Sequence, residues 1–394
     1  MTTNKKVWVY DIEQFMNFHS CTFMEKDDKS NVIQFVIARW RSDADKYYDF
    51  LKNEVAGLIG FNNMNYDYPM LHFFMSIMKG YSIDPHADRM NDLLFAESQR
   101  IINEEYSAIQ EDKVLIPQLD LYRIHHFDNK NKRTSLKAVE IAINFKNVQD
   151  IPYDENHEVQ EHEEQMILDY NLNDVEATYE FYILSKDMID LRKKLTAKYN
   201  INLRNANDPK IGQEIFIRQI AKKKGWSYSF VKEMRTFRHY IDLGQCILDY
   251  IKFESDEFNE LLTDLKSTVI ETTYDAFDKS VIYKGAKYEY GTGGIHQSID
   301  AGIYEADDIY TIEDIDVKSF YPNIGIVNNF YPQHLEIEFV QVMKELFNQR
   351  LEAQKIGDKA TNSGLKLALN GSTGKTNDKF SPLYDPKYNI NITV

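Results

Sequence analysis

The chain has 394 residues, 43% of them apolar and 27% charged, with a net charge of −16. At roughly 150 residues per domain this suggests two or three domains, and 26 Tyr and 23 Phe supply more apolar surface than a disordered chain carries. No apolar run approaches the roughly 18 residues of a membrane span, and the acidic balance argues against a protein coated with nucleic acid but not against a local basic groove beside a carboxylate metal site. MTTNKK runs straight into VWVYDIE and leaves no room for a signal peptide. Cys21 and Cys246 lie in no CxxC pair, which argues against a disulfide scaffold or a thiolate zinc site and fits a reducing cytoplasm.

In chain order, Val7–Tyr10 and Val32–Ala38 are β-rich runs, and Gly57–Phe61 is a short apolar run entering an Asn-rich turn. Tyr68–Lys79 is apolar enough for a buried helix, and Leu119–Ile124 suits another strand. Ser135 is an N-cap for Leu136–Phe145, which has helical spacing. His162–Lys186 reads as one long helix or two abutting ones. Asp208 and Pro209 open a helix that runs to Lys224, where Gly225 closes it. The stretch from about 190 to 285 is helical and polar and carries no chemical motif. Gly291–Gly294 marks a tight loop, and Ile309–Val317 a strand leading to a turn at Tyr321-Pro322-Asn323. Val340–Ala353 reads as a helix, Leu365–Leu369 as a helical stretch ending near Gly371, and Tyr388–Val394 as the start of a strand or helix.

Asp11 and Glu13, in Y-D-I-E, sit at the end of the first strand, and period-two alternation puts both on one face. Converging carboxylates suit a divalent metal with oxygen ligands. Asp67 follows the Asn-rich run Gly60–Tyr66, where N-capping explains it equally well. Tyr170 and Asp174 lie four apart on the long helix, hence on one face. Taken singly these are a solvated strand end, a cap and an exposed acid. In order, D-x-E, N-x-x-Y-D and Y-x-x-x-D resemble the three motifs of the DEDD 3′–5′ exonucleases, tyrosine subtype.

That resemblance implies an α/β, RNase H-like domain with a mixed sheet, and two Mg²⁺ or Mn²⁺ ions per active site. It assigns Asp11 to bridge the ions, Glu13 and Asp174 to complete the first site, Asp67 to support the second, and Tyr170 to hold the attacking water. Asn63 and Tyr66 would contact a single-stranded DNA 3′ end, Tyr66 by stacking unless it is a core aromatic. Thr134–Ala142, TSLKAVEIA, resembles a stretch between the second and third motifs of polymerase-linked members, which brings Ser135 and Leu136 to the DNA. Lys130, Lys132, Arg133 and Lys137 lie near that path or form an ordinary solvated loop.

Asp316–Pro322, D-V-K-S-F-Y-P, resembles D-x-x-S-L-Y-P, the first palm motif of family B DNA polymerases, with Phe320 in place of Leu. It implies Asp316 as a catalytic metal ligand and Tyr321 packed under the sugar to reject a 2′-OH. Lys366–Gly374 resembles the fingers motif K-x-x-x-N-S-x-Y-G. Lys366 would neutralise the incoming triphosphate, with Asn370 one turn later and Arg350, on the preceding helix, as a second phosphate ligand. Gly371 replaces the usual Ser, and Thr373 replaces the Tyr that packs on the nascent base pair. Tyr290–His296, Y-G-T-G-G-I-H, resembles the glycine-rich loop joining exonuclease and polymerase parts. It implies template contacts by Tyr290, Gly293 and Gly294, a plain turn being the other reading.

The resemblance as a whole is to a bacteriophage-type family B DNA-directed DNA polymerase with a proofreading exonuclease. It divides the chain into a 3′–5′ exonuclease domain over 1–190, a helical connector with the glycine-rich loop over 191–300, a partial palm over 301–345 and fingers with a return to the palm over 346–394. The implied partners are primer–template DNA, single-stranded 3′ ends and dNTPs, in a bacterial host cytoplasm and away from membranes. The third palm motif, D-T-D, occurs nowhere in the sequence. The expectation is therefore an N-terminal portion, or the first half of a split polymerase completed by a second polypeptide, without polymerase activity of its own. The alternatives are a free-standing 3′–5′ exonuclease and a non-catalytic single-stranded-DNA-binding accessory module.

Overall fold

The computed structural model describes residues 5–80, 87–104, 109–110, 113–274, 276–317 and 319–394. Residues 1–4 of the N-terminal MTTNKK, and Lys318 of the palm-like motif, lie outside them. The chain divides into two compact units, Met1–Lys193 with Asn202–Asn207, and Lys194–Ile201 with Asp208–Val394.

The first unit is α/β, built on a six-stranded mixed sheet in the order β4-β3-β2-β1-β5-β6. β1 (Lys6–Phe15), β2 (Phe18–Glu25), β3 (Asp28–Ala38) and β4 (Arg41–Ser42) run antiparallel; β5 (Val55–Gly60) and β6 (Gln118–Asp120) continue parallel to β1. Helices α1 (Ala44–Asn53), α2 (Asp67–Gly80) and α3 (Ala87–Asn103) contribute to one core with the even-numbered Trp8, Tyr10 and Ile12 of β1. Phe23, Phe35, Tyr47, Phe50 and Phe74 pack there, stacked or edge-on, with ring centroids 4.5–6.0 Å apart. On the other face, Val9 packs with α4 (Leu121–Ile124), α5 (Leu136–Ala142) and α6 (Glu164–Leu184), and Phe15 packs with Ile167 and Leu168 of α6. Both faces of β1 are thus covered, as expected of the central strand of a layered α/β unit.

Ser135 caps α5 as expected, accepting from the Ala138 N–H at 3.2 Å. That helix stops at Ala142, short of Phe145, because Asn144 takes a left-handed φ of 55°. Of the strand expected over Leu119–Ile124, only Leu119 and Asp120 are strand. β6 ends at Asp120, whose carboxylate accepts from the Tyr122 and Arg123 N–H groups and turns Leu121–Ile124 into helix. β2 escapes a pattern reading because all eight of its residues are buried, His19, Ser20, Thr22 and Glu25 included. Cys21, on this strand, is free and buried, as is Cys246.

α7 (Lys186–Tyr199) follows α6, so His162–Lys186 resolves into α6, a 3-10 turn before it at Glu161–Glu163, and the first residue of α7. In the second unit α8 (Asp208–Lys224) ends at Gly225, φ 67°, as the sequence suggests. α9 (Tyr228–Glu233) and α10 (Asp256–Lys266) follow. The region to 285, expected to be helical, also holds the two-stranded β7 (Ile241–Asp242) and β8 (Val269–Ile270), and β9 (Asp278–Tyr283). β9, β10 (Ala286–Gly291) and β11 (Gly294–Ser298) form an antiparallel sheet, with Thr292 and Gly293 as the two-residue β10–β11 turn.

Ile309–Val317 forms no strand. Ile309 and Ile315 are more than four-fifths exposed, at 82% and 83%, and Asp307 accepts from the Ile309 and Tyr310 N–H groups at 2.8 and 2.7 Å. Without a neighbouring ladder among the described residues, the local side-chain turn prevails. Tyr321-Pro322-Asn323 is no turn but the opening of α11 (Phe320–Asn328), where the missing proline N–H costs nothing. α12 (Glu336–Lys355) and α13 (Lys359–Lys375) follow, and Tyr388–Val394 falls largely in the short helix α14 (Pro386–Thr393), capped by Asp385. α13 crosses α8 closely. A Cβ on Gly212 would lie 2.8 Å from the Ala368 carbonyl oxygen, and one on Gly371 would lie 3.0 Å from Pro209 Cα. No described helix is long and apolar enough to cross a membrane.

Candidate functional site

Asp11 and Glu13 do not end β1, which continues to Phe15. What ends is the parallel pairing: β5 last pairs with β1 at Val9↔Ile59, so both acids lie past it, paired only with Thr22 and Ser20 of β2. They share the odd-numbered face with Val9 and Phe15 and form a polar window between two apolar clusters that reach α6. Asp174, on α6, meets them there. One carboxylate oxygen from each of Asp11, Glu13 and Asp174 lies within 4.8 Å of the others, and all three residues are half-buried.

Asp67 is the first residue of α2 and is buried. Its Oδ1 accepts from the Ile12 N–H at 3.2 Å, which ties it to β1 between Asp11 and Glu13. The Tyr170 hydroxyl donates to Asp174, and the Asn171 amide donates to Asp11 Oδ2 at 2.8 Å. Helical spacing on α6 therefore delivers Tyr170, Asn171 and Asp174 to one place.

Burial, then the charges of Asp67, Glu13 and Asp174, push the Asp11 carboxyl well above the usual range; Asn171 opposes this. Burial, then Asp174 and Asp67, do the same to Glu13. Asp67 is pushed up to about 7 by burial, with the Ile12 N–H opposing. Asp174 is pushed up to about 7 by burial and the charge of Glu140, with Tyr170 and Asn173 opposing. Tyr170 is also pushed well above its ordinary range, by burial and the Asp174 charge. Carboxylates gathered at such cost to their ionised forms fit a hard divalent cation, and Asp11, Glu13 and Asp174 could hold one.

The expected DNA contacts fare differently. Asn63 is completely buried, its amide donating to Gln118 Oε1 at 2.8 Å, so its side chain has no surface to offer a strand. Tyr66 is half-buried against the α1–α3 core, with its hydroxyl 2.8 Å from Ser98 Oγ. Ser135 is exposed with its hydroxyl engaged as a cap, and Leu136 is half-buried. Lys130, Lys132 and Arg133 are exposed, while Lys137 pairs with Asp150. Tyr290 is buried in the second unit's core beside Phe258 and Leu261, which removes its side chain from any template contact.

A cavity of about 870 Å³ in the second unit collects Asp316, Tyr321, Arg350, Lys366 and Asn370, with Gly293 also in its lining. Lys366 and Asn370 project from one face of α13. Arg350, buried on α12, donates from Nε to Asn362 Oδ1 at 3.1 Å and from Nη1 to Ser319 Oγ at 2.6 Å. Gly294 lies outside the lining, 3.9 Å from the Tyr321 hydroxyl by its virtual Cβ. Thr373 also lines the cavity, whereas Gly371 faces α8.

The fold and the acids define an α/β unit whose carboxylate cluster could hold a metal ion. No protein-family model matches the chain, and no curated protein matches it. The residues that pattern reading missed are Asn171, Glu140 and Asp120. Asn171 adjoins Tyr170 and could have been found as the next position on that helix face; Glu140 and Asp120 carry no spacing signal.

Proposed function

We propose that the first unit is a DEDD-type, RNase H-like 3′–5′ exonuclease acting on DNA by two-metal phosphodiester hydrolysis. The observation that carries the reading is the meeting of Asp11, Glu13 and Asp174, with Tyr170 bonded to Asp174 and Asp67 bonded to the Ile12 N–H between the first two. Two Mg²⁺ or Mn²⁺ ions held there would supply a nucleophile at neutral pH and stabilise the leaving 3′-oxygen. Asp11, within electrostatic reach of Asp67, Glu13 and Asp174 and with its Oδ2 bound by the Asn171 amide, would be a ligand there together with those acids. The Tyr170 hydroxyl, kept protonated by burial and the Asp174 charge, gives its one proton to Asp174, so it would hold an attacking water as an acceptor. The phosphodiester would lie over the acids, which are half-buried between the two apolar clusters.

The test is digestion of a 5′-labelled single-stranded oligonucleotide with Mn²⁺. Shortening from the 3′ end, abolished in Asp11→Ala/Glu13→Ala, is expected; equal digestion by that double variant defeats the assignment.

The cavity in the second unit favours a companion reading, the start of a family B polymerase palm and fingers. Its support is the convergence of Asp316, Tyr321, Arg350, Lys366 and Asn370 on one space large enough for a nucleoside triphosphate. Lys366 would meet the phosphates as a point charge. Arg350 is already engaged with Ser319 and Asn362 and serves first to fix the motif segment against α13.

A further inference from the structure

Asp120 closes β6 and is completely buried. Its Oδ1 accepts from the N–H groups of Tyr122 at 2.9 Å, Arg123 at 3.4 Å and Asn62 at 3.0 Å, and its Oδ2 accepts from the Met64 N–H at 3.2 Å. The first two donors belong to α4. The other two belong to the connection from β5 to α2, which ends in Asp67. Capping a four-residue helix does not require a carboxylate to reach that connection.

The connection needs holding. Asn62 sits at a left-handed φ of 60°, and a Cβ on Gly60 would lie 2.6 Å from Asn63 Cβ. The Asn63 carbonyl accepts from the Tyr68 N–H at 2.8 Å, so what fixes Asn62–Met64 also fixes the first turn of α2. Arg123 adds a second tie, donating from Nη2 to Asn65 Oδ1 at 2.8 Å.

Asp120 is itself held from the open edge of β6. Asn205 accepts from the Asp120 N–H at 2.9 Å and donates to the Gln118 carbonyl at 3.1 Å. One side-chain amide thus makes both bonds that a neighbouring strand would make. Asn205 lies in Asn202–Asn207, the short stretch for which the chain, having left the first unit at Lys193, returns to it.

We propose that Asp120 is a positioning residue for Asp67, and that Asn205 secures Asp120 from the sheet edge. This rests on the exonuclease reading. Asp120 touches neither metal nor DNA; it sets the connection from which Asp67 enters the site.

The test uses the full chain with Asn205→Ala, which removes both edge bonds, and Asp120→Asn, which turns one acceptor into a donor facing a backbone N–H. Hydrogen exchange of segment 61–68 and separate kcat and KM values for oligonucleotide digestion with Mn²⁺ are measured. Faster exchange in that segment, with kcat lower by about tenfold and KM within about twofold, is expected for Asn205→Ala and more strongly for Asp120→Asn. Unchanged exchange and kcat in a folded Asn205→Ala protein overturn the proposal, as does a kcat loss without faster exchange. If the wild-type chain does not digest DNA, the exonuclease reading falls and takes the catalytic consequence with it. The clamp then stands or falls on exchange alone.

Discussion

Asn171 donates its side-chain amide to Asp11 Oδ2 at 2.8 Å while its own Oδ1 is buried without a hydrogen-bond partner among the described residues. A buried amide that gives one bond and receives none is held for the bond it gives. That bond favours the ionised Asp11 against three neighbouring acids. Asn171→Leu, close in volume, should therefore weaken Mn²⁺ binding by about tenfold or more. Mn²⁺ titration followed by electron paramagnetic resonance checks this; affinity equal to wild type contradicts it.

Asp11→Ala should reduce exonuclease activity more than Tyr170→Phe. Losing the carboxylate removes a ligand shared by the proposed ions, on the order of several kcal/mol of transition-state stabilisation, whereas losing one hydroxyl only loosens a water. Single-turnover digestion rates rank the two, and the reverse order counts against the assigned roles.

Stability of the metal-free chain should fall as pH rises. Asp67 and Asp174 sit at about 7 in the fold against an ordinary 3.8. Between those values the folded chain holds protons that the unfolded chain has released, so each unit of pH upward favours unfolding. Thermal unfolding without divalent ions should show a lower midpoint at pH 8 than at pH 5, and added Mn²⁺ should raise the midpoint more at pH 8. A midpoint that climbs with pH in chelator contradicts the reading.

Replacing Lys130, Lys132 and Arg133 with Gln should flatten the salt dependence of single-strand binding, by about 0.7 in log–log slope for each phosphate left without its cation. These three are exposed, and Lys137, also exposed, is paired with Asp150. Fluorescence anisotropy across a salt series reads the slope; an unchanged value assigns the segment to solvent.

Lys366→Ala should weaken binding of a dNTP–Mg²⁺ by about tenfold, the effect of removing one charge-assisted hydrogen bond to phosphate, while leaving the unfolding midpoint in place. Lys366 is exposed at the cavity, so its removal disturbs no packing. Arg350→Ala should lower the midpoint as well, because Ser319 and Asn362 lose their donor.

The acids were legible in the sequence because their spacings coincide with the periods of strand and helix: Glu13 is two positions on from Asp11, and Asp174 four positions on from Tyr170. Ser135 and Gly225 were legible because capping is chemistry within a few residues of the chain. What escaped depends on distant partners. Asn63 reads as a polar turn residue, yet it is buried because Gln118, on another strand, accepts its amide. Ile309–Val317 alternates like a strand, but alternation supplies no neighbour, and Asp307 turns the backbone instead. Tyr290 looks like part of a loop signature, and only the packing of β10 on Phe258 shows it to be core.

Gly212 and Gly371 bring α8 and α13 so close that backbone, not side chain, forms the contact. A Cβ at either glycine would push the two backbones apart and move the helix that bears Lys366 off α8. The position of that lysine therefore depends on two residues that do not line its cavity.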